Sequence, residues 1–398
     1  MLPEGWKRTS VGEACEIRNN LRFPLSAEQR SGMMGIYPYF GPTGILGYLD
    51  HFRIDEQFAL IGEDGDHFLK FREREMTVFF QGKANVNNHA HIIGNSKCCL
   101  AKWFFYSLMH RDLTPVISRQ GVGRYKLTKA GLEQIELLLP PPEEQRQIIR
   151  LLDTWNEAAA TTEKLLANSR RQKQALMWGL LSGKRRFDSP SGSWQYVDFD
   201  DVFERVTRKN SICNDNVLTI SGQHGLISQR DYFNKSVASE NLSGYTLLER
   251  GDFAYNKSYS AGYPMGAIKP LQAYDAGVVS SLYLCFRLRS DVDADLDFFR
   301  HYFEAGLLNE EISGIAQEGA RNHGLLNVSV TDFFKLRLHI PPAPVQRKIA
   351  EAINVAEAEE RWFEQELIRF QAEKRALMQQ LLTGKRRIRL PDHEAVEA

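Results

Sequence analysis

Hydrogen-bond donors set beside glycines recur at two matching places in this 398-residue sequence. The first run contains Arg119, Arg124, Tyr125 and Lys126; the second contains Arg321, Asn322 and His323. Further donors flank glycine turns: Lys83, Asn85 and Asn87 in the first half, and Gln223, His224, Lys257 and Tyr259 in the second. Arg and Lys can pair with guanine edges or phosphates, and Asn and Gln with adenine. These positions are candidates for contact with a nucleic acid. The plain alternative for any one of them is a solvated loop residue.

No catalytic constellation accompanies these donors. Phe40-Gly41-Pro42-Thr43-Gly44 has the glycines of a cofactor loop, but no Asn-Pro-Pro-Tyr-type tetrad follows, so it reads as a turn between strands. Gly-Lys occurs at 82–83, 183–184 and 384–385, never in a Walker A frame. His89 and His91 are two metal-type ligands without a clear third. The five cysteines (15, 98, 99, 213 and 285) are unpatterned and read as reduced thiols. Metal and cofactor sites are therefore expected to be absent from this chain.

The elements that must position the donors are duplicated. Leu139–Phe187 aligns with Ile340–Ile388 without a gap at an offset of 201, with 17 of 49 positions identical. Prolines precede each window, and Gly183 and Gly384 close it as left-handed caps. About 41 proline-free residues lie between, enough for roughly 60 Å of helix. The seam steps by four and three: Ile148, Leu152, Trp155, Ala159, Thr162, Leu166, Ser169, Lys173, Leu176, Leu180, and likewise from Ile349 to Leu381. Thr162, Ser169, Lys173, Glu360 and Lys374 interrupt it. The two helices are expected to pack on each other, antiparallel.

Residues 1–140 and 188–341 are β-rich, with one short helix each near 100–110 and 296–306. Trp6 before Val11 parallels Trp194 before Phe199, so the duplication covers the whole chain. The expected architecture is α+β: β-rich domains at 1–140 and 188–341, long helices at 141–187 and 342–388, and a tail at 389–398, in a tandem pseudo-two-fold arrangement. Net charge is zero overall but uneven: 17 basic and 15 acidic groups give +2 in 1–140, 9 and 5 give +4 in 141–187, and 14 and 20 give −6 in 188–341. This is not the bulk basic footprint of a simple nucleic-acid binder. No run of about 18 apolar residues exists, and the opening MLPEGWKRTS lacks a signal-peptide core, so a cytoplasmic location is expected.

The layout resembles the specificity subunit of type I restriction-modification systems. So do Leu139-Pro-Pro-Pro-Glu-Glu-Gln-Arg146 and Ile340-Pro-Pro-Ala-Pro-Val-Gln-Arg347, the closing Gly183-Lys-Arg-Arg and Gly384-Lys-Arg-Arg, and the phrases Tyr37-Pro-Tyr-Phe-Gly-Pro-Thr-Gly44 and Gly251-Asp-Phe-Ala-Tyr-Asn-Lys-Ser258. Val345 departs from the pattern, standing where an acidic residue precedes Gln-Arg. The resemblance implies a non-catalytic subunit whose two β-rich domains are target-recognition domains. Each would read half of a bipartite site in double-stranded DNA, and the helices would set the spacing and dock two methyltransferase subunits. A restriction/translocase subunit is a further partner. S-adenosylmethionine would sit on the methyltransferase, not here. The rival readings are a coiled-coil protein scaffold that reads no DNA, which leaves the two donor-rich globules unexplained, and an enzyme, which lacks convergent titratable residues.

Overall fold

The computed structural model describes residues 2–119, 125–187, 193–222, 225–233, 241–260, 262–318 and 326–388. The chain divides into two compact units, Met1–Glu163 with Gln365–Ala398, and Lys164–Glu364. The division cuts through two long helices, Pro142–Leu181 and Ala343–Leu381. Each unit therefore holds one β-rich globule, the first half of the helix that follows it, and the second half of the other helix.

In the first unit the strands are β1 (Lys7–Ser10), β2 (Glu16–Ile17), β3 (Met34–Gly41), β4 (Gly44–Leu49), β5 (Ile54–Gly62), β6 (Thr77–Val86), β7 (Ala90–Gly94), β8 (Ser118–Arg119), β9 (Tyr125–Lys126) and β10 (Glu136–Leu139). Six form one sheet in the order β2-β7-β5-β6-β3-β4, antiparallel except where β3 meets β6. Alternation in β5 shows why it sits centrally. Phe58 and Leu60 face a cluster with Phe40 and Val86, while Ala59 and Ile61 face the main core with Trp103 and Phe104. That core also takes Ile148 and Leu152 from the start of the first long helix and Met378 and Leu381 from the end of the second.

In the second unit the strands are β11 (Gln195–Asp198), β12 (Phe203–Arg205), β13 (Leu218–Ser221), β14 (Gly225–Ser228), β15 (Thr246–Glu249), β16 (Phe253–Asn256), β17 (Ala267–Pro270), β18 (Ala276–Val279), β19 (Leu284–Leu288), β20 (Gln317–Glu318), β21 (Leu326–Asn327) and β22 (Arg337–Ile340). Its sheet is smaller, β12-β19-β16-β17, with separate pairs β13-β14 and β15-β18. The core is built on phenylalanines, with Phe199 and Phe203 stacked on each other and each edge to face with Phe286. It takes Met177 and Leu180 from the end of the first helix and Ile349 and Ile353 from the start of the second.

The heptad seam holds. None of its twenty members is exposed. Within the first unit, the Trp155 and Phe370 rings meet edge to face at 5.7 Å. Within the second, the Ser169 hydroxyl donates to Glu359 at 3.1 Å, and Lys173 and Arg170 both bind Glu360. Early residues of one helix thus meet late residues of the other, which is antiparallel pairing. The polar seam residues Ser169, Lys173 and Glu360 are paired across the seam, while Lys374 turns to Glu75 of the first globule at 3.6 Å.

Each helix closes as the glycine spacing predicts. Gly183 and Gly384 have φ of +72° and +69°. A Cβ on Gly183 would meet the Trp194 ring at 3.3 Å, and one on Gly384 would meet Pro3 at 2.9 Å and Trp6 at 3.5 Å. The tryptophan that opens each globule is therefore seated on a helix-closing glycine.

Candidate nucleic-acid interface

Both globules present the same device just before their long helix. In the first, β8 and β9 form a two-stranded antiparallel ribbon (Ser118↔Lys126, Arg119↔Tyr125). In the second, β20 and β21 do the same (Gln317↔Asn327, Glu318↔Leu326). A short helix capped by Thr128 or Ser329 follows, then β10 or β22, which pairs with the strand opening the globule. Arg124, Arg321, Asn322 and His323, between the ribbon strands in sequence, lie outside the described residues, as do Gln223 and His224 between β13 and β14.

The remaining candidates fall into three groups. Arg119 is exposed on β8, Tyr259 is 64% exposed, and Lys83 is exposed on β6 with its ammonium 4.7 Å from the Phe52 ring. Lys126, Tyr125 and Lys257 are half-buried. The Lys126 ammonium lies 3.1 Å from Glu63, whose carboxylate raises its pKa. The Lys257 carbonyl accepts from the Leu326 N–H at 2.9 Å, joining the loop after β16 to the second ribbon. Asn85 and Asn87 are buried. The Asn85 amide donates to the His51 carbonyl at 2.7 Å, and the Asn87 side-chain oxygen accepts from the His89 N–H at 2.9 Å. Burial gives these two a part in holding their turn and leaves them no edge open to a ligand.

His89 and His91 are separated by their surroundings. His89 Nδ1 is 2.9 Å from Asp64, at the surface. His91 is buried, with Nε2 2.8 Å from the Leu127 carbonyl and Nδ1 2.8 Å from the Arg22 guanidinium. Burial first, and Arg22 among the lesser causes, depress its pKa, so Nδ1 accepts and Nε2–H donates. Among the described residues no group of three His, Cys, Asp or Glu side chains could hold a metal ion.

Two positions were legible in the sequence only as repeated letters. Gln145 is buried and accepts from the Leu100 N–H at 2.9 Å while donating to the Cys98 and Pro140 carbonyls at 2.6 and 2.9 Å. Gln346, its counterpart at the offset of 201, accepts from the Asp295 N–H at 3.0 Å and donates to the Pro341 carbonyl at 2.9 Å. Leu100 and Asp295 are the N-caps of the short globule helices Ala101–Leu108 and Leu296–Glu304. Each glutamine joins a long helix to its own globule.

Comparison with known proteins agrees with this frame. The family model described as "Type I restriction modification DNA specificity domain" matches residues 3–168. A putative type I restriction enzyme specificity subunit, S.HindORF215P of Haemophilus influenzae, is 32% identical over 148 residues, 37% of this chain and 36% of that one. The chain therefore spans about a third of that relative's length. The type I restriction enzyme MjaVIII specificity subunit of Methanocaldococcus jannaschii is 21% identical over 98% of this chain and 94% of its own. The crystal structure of the type I restriction-modification S subunit from M. genitalium superposes with a TM-score of 0.57 at 12% identity, covering 95% of this chain and 96% of that one, which shows a shared fold. Residues 3–168 thus match that specificity-domain model, and over nearly its full length the chain is similar to a type I restriction enzyme specificity subunit. Among the described residues no helix is long and apolar enough to cross a membrane.

Proposed function

We propose that this chain is the non-catalytic, DNA-reading subunit of a type I restriction-modification complex. Each globule reads one half of a bipartite duplex site through its ribbon and neighbouring turns. Base contacts supply sequence discrimination, and phosphate contacts supply register. The paired helices set the gap and dock two methyltransferase subunits, which carry S-adenosylmethionine; a restriction/translocase subunit joins in the cytoplasm.

One observation carries this reading. The two copies repeat the ribbon, the short helix, the glutamine joint and the long helix, yet their sheets differ in strand number and order. A constant frame holding two divergent faces suits a reader of two different half-sites, and a plain scaffold has no need of it. Replacing residues 1–140 with the matching segment of a relative should change one half of the motif methylated by the assembled complex and leave the other. Both halves changing, or neither, would sink the proposal. The purified chain alone should transfer no methyl group.

A further inference from the structure

In the second globule a buried cation joins three segments that packing alone would not join. Lys269, on β17, is 7% exposed. An ammonium carries three hydrogens, and each finds an acceptor here: the Glu304 carboxylate, the Tyr263 hydroxyl oxygen at 2.9 Å and the Gly222 carbonyl at 3.1 Å. The Tyr263 hydroxyl lies 2.8 Å from the other Glu304 oxygen and 2.9 Å from the Gly222 carbonyl. Burial and the Glu304 carboxylate hold this phenol well above its usual range, so it keeps its proton as a donor. Gly222 sits against the Tyr263 ring, where a Cβ would approach to 3.0 Å.

Each partner belongs to a different segment. Gly222 follows β13 and precedes Gln223 and His224 in the sequence. Tyr263 belongs to the loop that carries Lys257 and Tyr259. Glu304 ends the helix Leu296–Glu304, whose phenylalanines fill the core. Removing a charge from water costs several kcal/mol unless it is fully paired. Its strand neighbours Ala267 and Ile268 are buried and apolar, and a methionine would fill the position without that cost. Core packing therefore does not account for a lysine. The first globule does the same job with opposite charge. Glu63 binds Arg22 at 2.9 Å and Lys126 at 3.1 Å, and its carbonyl accepts from the Leu127 N–H at 2.8 Å, tying the end of β5 to the ribbon strand β9.

We propose that Lys269 is the positioning residue of the second reading surface: it fixes Gly222 at the end of β13 and Tyr263 on one rigid helix, and the fidelity of one half-site depends on it. The inference rests on the DNA-reading function proposed above.

The test is a methylation profile of the chain assembled with its methyltransferase partner. The wild type should methylate a two-part motif. Lys269→Met should relax discrimination at one half-site by about tenfold, the scale of a lost base contact, and leave the other half as strict as before. The relaxed half must be the one that changes when residues 188–341 are exchanged for a relative's. Lys269→Arg, which keeps the charge and several donors, should restore most of the discrimination. An assembled Lys269→Met complex with both halves strict, or equal loss at both, overturns the proposal. If Lys269→Met does not assemble, Tyr263→Phe decides. It removes only the hydroxyl, and an unchanged second half-site there is equally fatal. A wild-type complex without two-part methylation would instead overturn the DNA-reading function itself, a failure visible before any variant is made.

Discussion

Arg387 closes on Glu144, 243 positions earlier in the chain, with guanidinium nitrogens 2.9 and 3.2 Å from the two carboxylate oxygens. Glu144 is 1% exposed, and Arg387 is partly open to solvent. The pair fastens the end of the second long helix to the start of the first, inside the first unit. Its counterparts at the offset of 201 are Arg186 and Val345. There the carboxylate is gone, and the Arg186 guanidinium rests on the Gly183 carbonyl at 3.2 Å. The second copy, with Val345, thus lacks the ion pair to a buried carboxylate that fastens the first.

The asymmetry orders two substitutions. Arg387→Ala strands a buried carboxylate and should clearly lower stability. Glu144→Val copies the solution already used at Val345 and leaves only a partly solvated cation, so it should cost distinctly less. Thermal unfolding of the assembled complex compares them. Equal losses would show that the pair is not the fastening described.

The two glutamine joints differ in the same graded way. Gln145→Ala leaves the Leu100 N–H and the Cys98 and Pro140 carbonyls without that partner, whereas Gln346→Ala affects the Asp295 N–H and the Pro341 carbonyl. Each buried group left unsatisfied costs roughly 1–3 kcal/mol. Gln145→Ala is therefore expected to destabilise its unit more than Gln346→Ala does. Hydrogen exchange at the N–H groups of Leu100 and Asp295 reads each joint separately, and unaltered protection at both would remove the glutamines from this role.

Much of the frame was legible beforehand, because the signals that specify it are local and repeated. The seam from Ile148 to Leu180, the caps Gly183 and Gly384, and the two short globule helices all follow from period, proline and glycine. The candidate interface was less so. Asn85 and Asn87 looked like free donors beside a glycine, yet Asn85 lies on the central strand β6 between Ala84 and Val86, and Asn87 just beyond it donates its N–H to the Phe40 carbonyl, so both are buried. Glu63 and Lys269 gave no local signal. Their importance comes from partners distant in sequence, such as Arg22 with Glu63 and Gly222 with Lys269. The interrupting seam residues misled in the other direction: Lys173 reads as a weakness until Glu360 is seen opposite.

Acid should loosen both units through their buried histidines. His301 is fully buried, with Nε2 2.8 Å from Asn354 of the second helix; burial first, then Arg300, hold its pKa below the usual imidazole range. Burial does the same to His91 in the first unit. The unfolded chain takes up protons near pH 6.5 that the folded chain refuses, so stability rises with pH through that window. It is complete above about 6.5 and lost progressively as pH falls toward the depressed folded values. The melting temperature should be level from about pH 8 to 7 and drop between about 6.5 and 5. His301→Gln should flatten that drop, at some cost in stability at neutral pH. A drop that persists unchanged in His301→Gln and His91→Gln variants would place its origin elsewhere.

The gap between half-sites offers the sharpest test of the helices. The chain's own division falls at Glu163–Lys164 and Glu364–Gln365, positions that match at the offset of 201. Four residues inserted at both points lengthen each helix by about 6 Å with a turn of about 400°, a net rotation of about 40°. Every seam contact described within either unit keeps its partner, since each unit retains both of its half-helices, and the four-residue insertion is a stutter that a coiled coil absorbs by local unwinding. On duplex DNA 6 Å is at most about two base pairs at 3.4 Å each. Unchanged half-sites with a gap longer by one or two base pairs are therefore expected in the methylation profile. The same insertion in one helix alone must slip that helix by a turn against its partner, pulling either Trp155 from Phe370 or Lys173 from Glu360, and activity should collapse. If the double insertion still methylates only the original spacing, the helices do not set the gap.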